Sequence, residues 1–71
     1  MRLNAQKLGA KIKELRLQKG MSQDFLARAC DLKLSNLAKL EGGFNSNPTL
    51  ATLIAIAKVL TNGSIDKLVI D

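Results

Sequence analysis

An all-α fold, a compact bundle of about five short helices, is what this sequence predicts, and three observations carry the prediction. Apolar residues recur at helical spacing, as in Leu8, Ile12 and Leu15, with little of the alternation that marks strands. Helix-start residues (Asn4, Ser22, Thr49) stand before the apolar runs, and helix-stop residues (Gly20, Gly42-Gly43, Gly63) stand after them. With 71 residues, 46% of them hydrophobic, the chain suits one small domain over 1–71, whose modest core must be assembled from short pieces.

Asn4 predicts the N-cap of a first helix with Leu8, Ile12 and Leu15 on one face and Leu17 off it. Lys19-Gly20 ends that helix, with a cation in the last turn and a glycine free to take the left-handed conformation. Ser22 caps a short second helix with Asp24 in its first turn, where the dipole favours negative charge; Phe25, Leu26 and Ala29 are its expected inner face. It ends near Cys30-Asp31, because Asp tolerates the left-handed region. Leu32 anchors the next turn, and a third helix runs from about Lys33 to Glu41, with Leu37 and Leu40 inward, until Gly42-Gly43 stops it.

Residues 42–48 read as loop. Thr49 caps a fourth helix from Leu50 to about Thr61, with Leu50, Leu53, Ile54, Ala57 and Leu60 as its apolar stripe. Asn62-Gly63 reads as its C-terminal cap, and Ser64 as the cap of a last helical turn with Ile65 and Leu68 inward. Val69 and Ile70 either finish the core or pair with a second subunit.

The inventory of reactive side chains argues against an enzyme. There is no His, Trp or Tyr and a single Cys, Cys30, so the commonest general base and metal ligand are absent. One thiol makes neither an internal disulfide nor a zinc cluster, and Cys30 reads as a small buried apolar residue. No catalytic residue, metal, cofactor or small-molecule ligand is expected. The most apolar stretch, Leu50 to Leu60, is too short for the roughly 20 residues of a spanning helix. With no targeting segment evident, a cytoplasmic location away from membranes is expected.

Charge points to a polyanion. Residues 1–39 carry nine Lys/Arg against three acidic residues, a balance of +6, whereas residues 40–71 come to −1. A basic half on so small a domain is the electrostatic footprint of a nucleic-acid binder, provided a reading element exists. Residues 22–41 supply the candidate: two short helices joined by a tight turn cross at roughly 90–120°, which holds the second one proud of the body. A helix about 10–12 Å across matches the major groove of B-DNA, about 12 Å wide. Ala27 and Ala29 suit the close contact between the two helices, and Leu32 suits the turn.

Ser22-Gln23-Asp24-Phe25-Leu26-Ala27, followed by Leu37-Ala38-Lys39-Leu40-Glu41-Gly42-Gly43, resembles the helix-turn-helix domains of the Cro/cI (Xre-like) repressors. Leu15-Arg16 and Lys19-Gly20-Met21 before the motif, and Asn47-Pro48-Thr49-Leu50 with Leu53-Ile54 and Ala57 after it, extend the likeness over roughly 8–68. The resemblance implies a five-helix lambda-repressor-like domain that binds double-stranded operator DNA, commonly as a homodimer.

It also implies roles. Gln23 donates to a DNA phosphate at the start of the second helix. Leu34, Ser35 and Asn36 face base edges, and Asn36 is the best reader because its carboxamide can donate to and accept from adenine. Lys33 and Lys39 face DNA, with Lys39 placed for phosphate or guanine. Phe44, Asn45 and Ser46 lie in the segment that grips the backbone through main-chain N–H groups and polar side chains. Arg16 and Glu41 correspond to an ion pair tying the first helix to the end of the third.

The expected function is therefore a sequence-specific transcriptional regulator, a small repressor or controller reading the major groove with helix 33–41. A second reading keeps the fold but makes it a protein-interaction module. Lys33 stands where the family usually places a capping Ser or Thr, and Leu34 where a polar residue is common.

Overall fold

In the computed structural model, which describes residues 4–44 and 48–69, five helices follow one another and no strand occurs among the described residues. They are α1 (Ala5–Gln18), α2 (Gln23–Ala29), α3 (Leu34–Glu41), α4 (Leu50–Leu60) and α5 (Asp66–Val69).

Local side-chain chemistry sets most of the helix ends. Asn4, Ser22 and Thr49 accept from the backbone N–H groups of Lys7, Phe25 and Thr52, each satisfying a donor left open by the first turn. The first three helices close in one way. The N–H groups of Met21, Leu32 and Phe44 reach back to the carbonyls of Arg16, Ala27 and Lys39 at 3.0, 2.8 and 2.9 Å. The residue before each (Gly20, Asp31, Gly43) takes a positive φ of 69°, 56° and 81°. This is the Schellman arrangement, and it lets the chain turn sharply while the last carbonyls keep partners. Asn62, with φ 53°, plays the left-handed part after α4. The last helix opens at Asp66, and the Ile65 carbonyl accepts from the Val69 N–H at 3.1 Å. Ile65, and not Ser64, therefore stands at its start.

One core unites the bundle, and Ile12, Leu26, Leu37, Leu40 and Ile56 are its fully buried large side chains. Burying each contributes about 1.5–3 kcal/mol. The third helix packs on α1 and α2, α4 lies against both of those, and α5 returns to α1. Two inner faces differ from expectation. In α2 the buried positions are Leu26 and Ala27, with Cys30 at the cap, while Phe25 (58% exposed) and Ala29 face outward. In α4 they are Leu53, Ile56, Ala57 and Leu60, with Leu50 and Ile54 exposed. Both helices are apolar on more than one side, so tertiary packing chose the face. Val69 packs against the core, and Ile70 lies outside the described residues.

Gly9 explains how α1 and α3 approach so closely. A Cβ there would collide with the Leu40 carbonyl and stand 2.7 Å from that of Glu41. Backbone meets backbone at this point, which fixes the end of α3 against the body.

Candidate nucleic-acid interface

The third helix is two-sided. Leu37, Leu40 and Glu41 are buried, whereas Leu34, Ser35, Asn36, Ala38 and Lys39 are exposed, with Lys33 exposed at the N-cap. The buried set follows the i, i+3, i+4 spacing of an anchored face, so the polar residues project together. Lys33 makes no side-chain cap bond, and the first-turn N–H groups are left to Lys33's main chain and to solvent. The only acidic residue of α3, Glu41, is turned inward, so the outward side carries Lys39 without a carboxylate beside it on the helix.

The brace behind α3 is a buried network. The Arg16 guanidinium donates through Nε to Glu41 Oε2 at 2.7 Å and through Nη2 to Oε1 at 3.0 Å. Their side chains are 8% and 2% exposed. Nη1 of Arg16 donates to the Met21 carbonyl at 2.7 Å, and Gln23 Nε2 donates to Glu41 Oε1 at 3.1 Å. Bidentate geometry and the added partners answer the desolvation of both charges. Among the described residues no buried side-chain polar atom lacks a partner. The Arg16–Glu41 pair thus ties α1, the turn after it, α2 and the end of α3 into a fixed relation.

Gln23, expected to face a phosphate, is half-buried and spends one amide N–H on Glu41. Its nitrogen has a second hydrogen. No local spacing announces this bond, because Gln23 and Glu41 lie on different helices. On the outer side of α2, Arg28 pairs with Asp24 at 3.1 Å in the open.

At Gly43 and Phe44 the main chain after α3 departs from expectation. The N–H groups of Gly43 and Phe44 donate to the carbonyls of Leu40 and Lys39 at 3.2 and 2.9 Å. They serve the helix's own last carbonyls, which otherwise lack partners, and so are spent within the fold. The Phe44 side chain is 85% exposed. Asn45 and Ser46 lie outside the described residues.

Phe44 also borders an open groove of about 360 Å³ beside α3, shared with Asn36, Lys39, Thr49 and Thr52. Cys30 is buried, and desolvation pushes its thiol pKa up, away from the nucleophilic thiolate. The described residues hold no cluster of three or more potential metal ligands and no helix long and apolar enough to cross a membrane.

A helix-turn-helix family model matches residues 12–68. Among solved structures, the chain is similar to the restriction-modification controller protein C.AhdI from Aeromonas hydrophila. The two are 31% identical over 90% of this chain and 94% of that one, with a TM-score of 0.82. It is also similar to the N-terminal DNA binding domain of SinR from Bacillus subtilis, at 29% identity over 93% and 94% of the two chains and a TM-score of 0.85. A structure of SinR, the master regulator for biofilm formation, in complex with DNA matches at 31% identity over 86% of this chain and 95% of that one, with a TM-score of 0.79. No curated protein matches by sequence.

Proposed function

We propose, from the premise that this chain belongs to the helix-turn-helix family matched over residues 12–68, that it is a sequence-specific DNA-binding transcriptional regulator of the small repressor or controller type. The observation that carries the reading is the two-sided third helix: its back is locked by Arg16 and Glu41, and its polar front is uncovered. A rigid helix lying in the major groove needs both properties.

In this reading Ser35 and Asn36 meet base edges, and Leu34 packs on a thymine methyl. Lys33, Lys39 and the second amide hydrogen of Gln23 hold phosphates. The chain acts as a homodimer on half-sites about 34 Å apart, located in the cytoplasm and without cofactor or catalysis. Similarity to a regulator solved with DNA supports DNA over the protein-interaction reading.

Selection of bound duplexes from a random pool at physiological salt tests the proposal. An enriched inverted repeat supports it in full. An enriched single site retains the reader and removes the dimer, and a pool left unenriched removes sequence-specific reading altogether.

A further inference from the structure

We propose that the Phe44 ring is itself a DNA contact, an apolar plate that lies against deoxyribose beside a phosphate held by Lys39; the inference rests on the DNA-binding reading above. Three observations lead to it. The main-chain N–H of Phe44 is committed to the Lys39 carbonyl at 2.9 Å, so the residue has no donor left for a phosphate and its side chain offers a ring.

The ring also lies against backbone. A Cβ at Gly42 would lie 2.9 Å from both Cδ2 and Cε2 of Phe44, so the ring rests on the glycine backbone. Gly42 has φ −78° and ψ −3°, a conformation open to any residue, and the ring accounts for its missing side chain better than the backbone does. The phenyl group, 85% exposed, thus lies over Gly42 at the C-terminal end of α3 with its outer face open.

The third observation is its company. The groove that Phe44 borders is also lined by Lys39, Asn36 and the hydroxyl-bearing Thr49 and Thr52, and none of its lining residues carries a carboxylate. Alternating cationic or hydroxyl groups with an apolar plate matches a sugar–phosphate backbone, in which anionic phosphates alternate with apolar deoxyribose faces. With the N-terminal positions of the helix on bases, its C-terminal end and Phe44 are directed in this proposal toward the sugar–phosphate flank. The contact therefore adds affinity without sequence preference and without charge.

That last property makes it testable. The intact chain, Phe44→Ala and Phe44→Leu are titrated by fluorescence anisotropy against a random-sequence duplex of about 20 base pairs at several salt concentrations, with sedimentation and thermal melting alongside. Phe44→Ala is expected to bind about tenfold more weakly at every salt concentration, with the log–log salt slope unchanged, because no counterion release is lost. Phe44→Leu keeps most of the affinity, and both variants keep the parent's melting temperature and sedimentation.

Equal binding by Phe44→Ala and the parent overturns the inference. So does a flattened slope, a lowered melting temperature, which would make the ring part of the fold, or a change in oligomeric state, which would make it a subunit contact. Failure of the parent chain itself to bind removes the DNA reading, and the inference with it.

Discussion

Glu41→Ala removes the carboxylate that Arg16 and Gln23 share, and its cost follows from what is left behind. Arg16, with a side chain 8% exposed, loses the bonds at 2.7 and 3.0 Å and keeps only the Met21 carbonyl, while Gln23 loses its acceptor at 3.1 Å. A buried charge stranded in this way costs about 3–5 kcal/mol. At about 0.05–0.15 kcal/mol per residue, a domain of 71 residues holds roughly 4–11 kcal/mol in total. The substitution therefore consumes about a quarter of the stability at the least and all of it at the most. With about 4–8 °C per kcal/mol in a domain of this size, melting falls by at least roughly 12 °C. Urea and thermal unfolding followed by far-ultraviolet circular dichroism measure it. The companion Arg16→Met/Glu41→Leu double variant replaces the pair by apolar side chains and recovers most of the loss, since no charge is then stranded. A Glu41→Ala loss under about 1 kcal/mol, or a double variant no better than the single, would refute the reasoning from burial and pairing.

Other perturbations separate the remaining roles. Lys39→Ala is expected to weaken binding to all duplexes and to lower the log–log salt slope by about 0.9, one phosphate's share, measured by anisotropy across salt. Asn36→Ala instead relaxes sequence preference, costing about 1–3 kcal/mol on the selected site and little on random DNA, which a competition titration reads directly. Gly9→Ala forces α1 away from the Leu40 and Glu41 carbonyls, so its unfolding midpoint drops by more than helix propensity would predict, since propensity alone favours Ala. Burial raises the Cys30 pKa above its ordinary 9.0, so the folded state binds the thiol proton more tightly than the unfolded state does. That contribution is complete below pH 9.0 and fades as pH rises through the folded value. The alkaline loss of stability in unfolding curves is therefore shallower in Cys30→Ala.

What was legible in the sequence was local. Caps at Asn4, Ser22 and Thr49 and left-handed exits at Gly20, Asp31, Gly43 and Asn62 depend on residues within a turn of one another, and spacing alone reveals them. Which apolar side of a helix is buried is set by neighbours. Phe25 and Ala29 in α2, and Leu50 and Ile54 in α4, fit an inward stripe by apolarity yet are exposed, while Ala27 and Ile56 take the core. Ala27 leaves room for close helix contact, which Phe25 would obstruct.

At the candidate site, the outward set from Lys33 to Lys39 follows from the anchored positions Leu37 and Leu40, so its placement was readable. Three things were not. Gln23 bonds Glu41 across 18 positions, the Gly9 contact is backbone to backbone, and the N–H groups of Gly43 and Phe44 close their own helix. Each depends on how separate elements meet or on a donor having one place to go, and residue identity alone carries neither.

An amide chemical-shift titration of the isotope-labelled chain with the selected duplex tests the outward, DNA-facing helix most directly. Perturbations concentrated at Lys33–Lys39, Gln23 and Phe44, with Lys58 and Asp66 quiet, are the predicted result. Shifts confined to Leu50, Ile54 and Lys58 while α3 stays silent would contradict it.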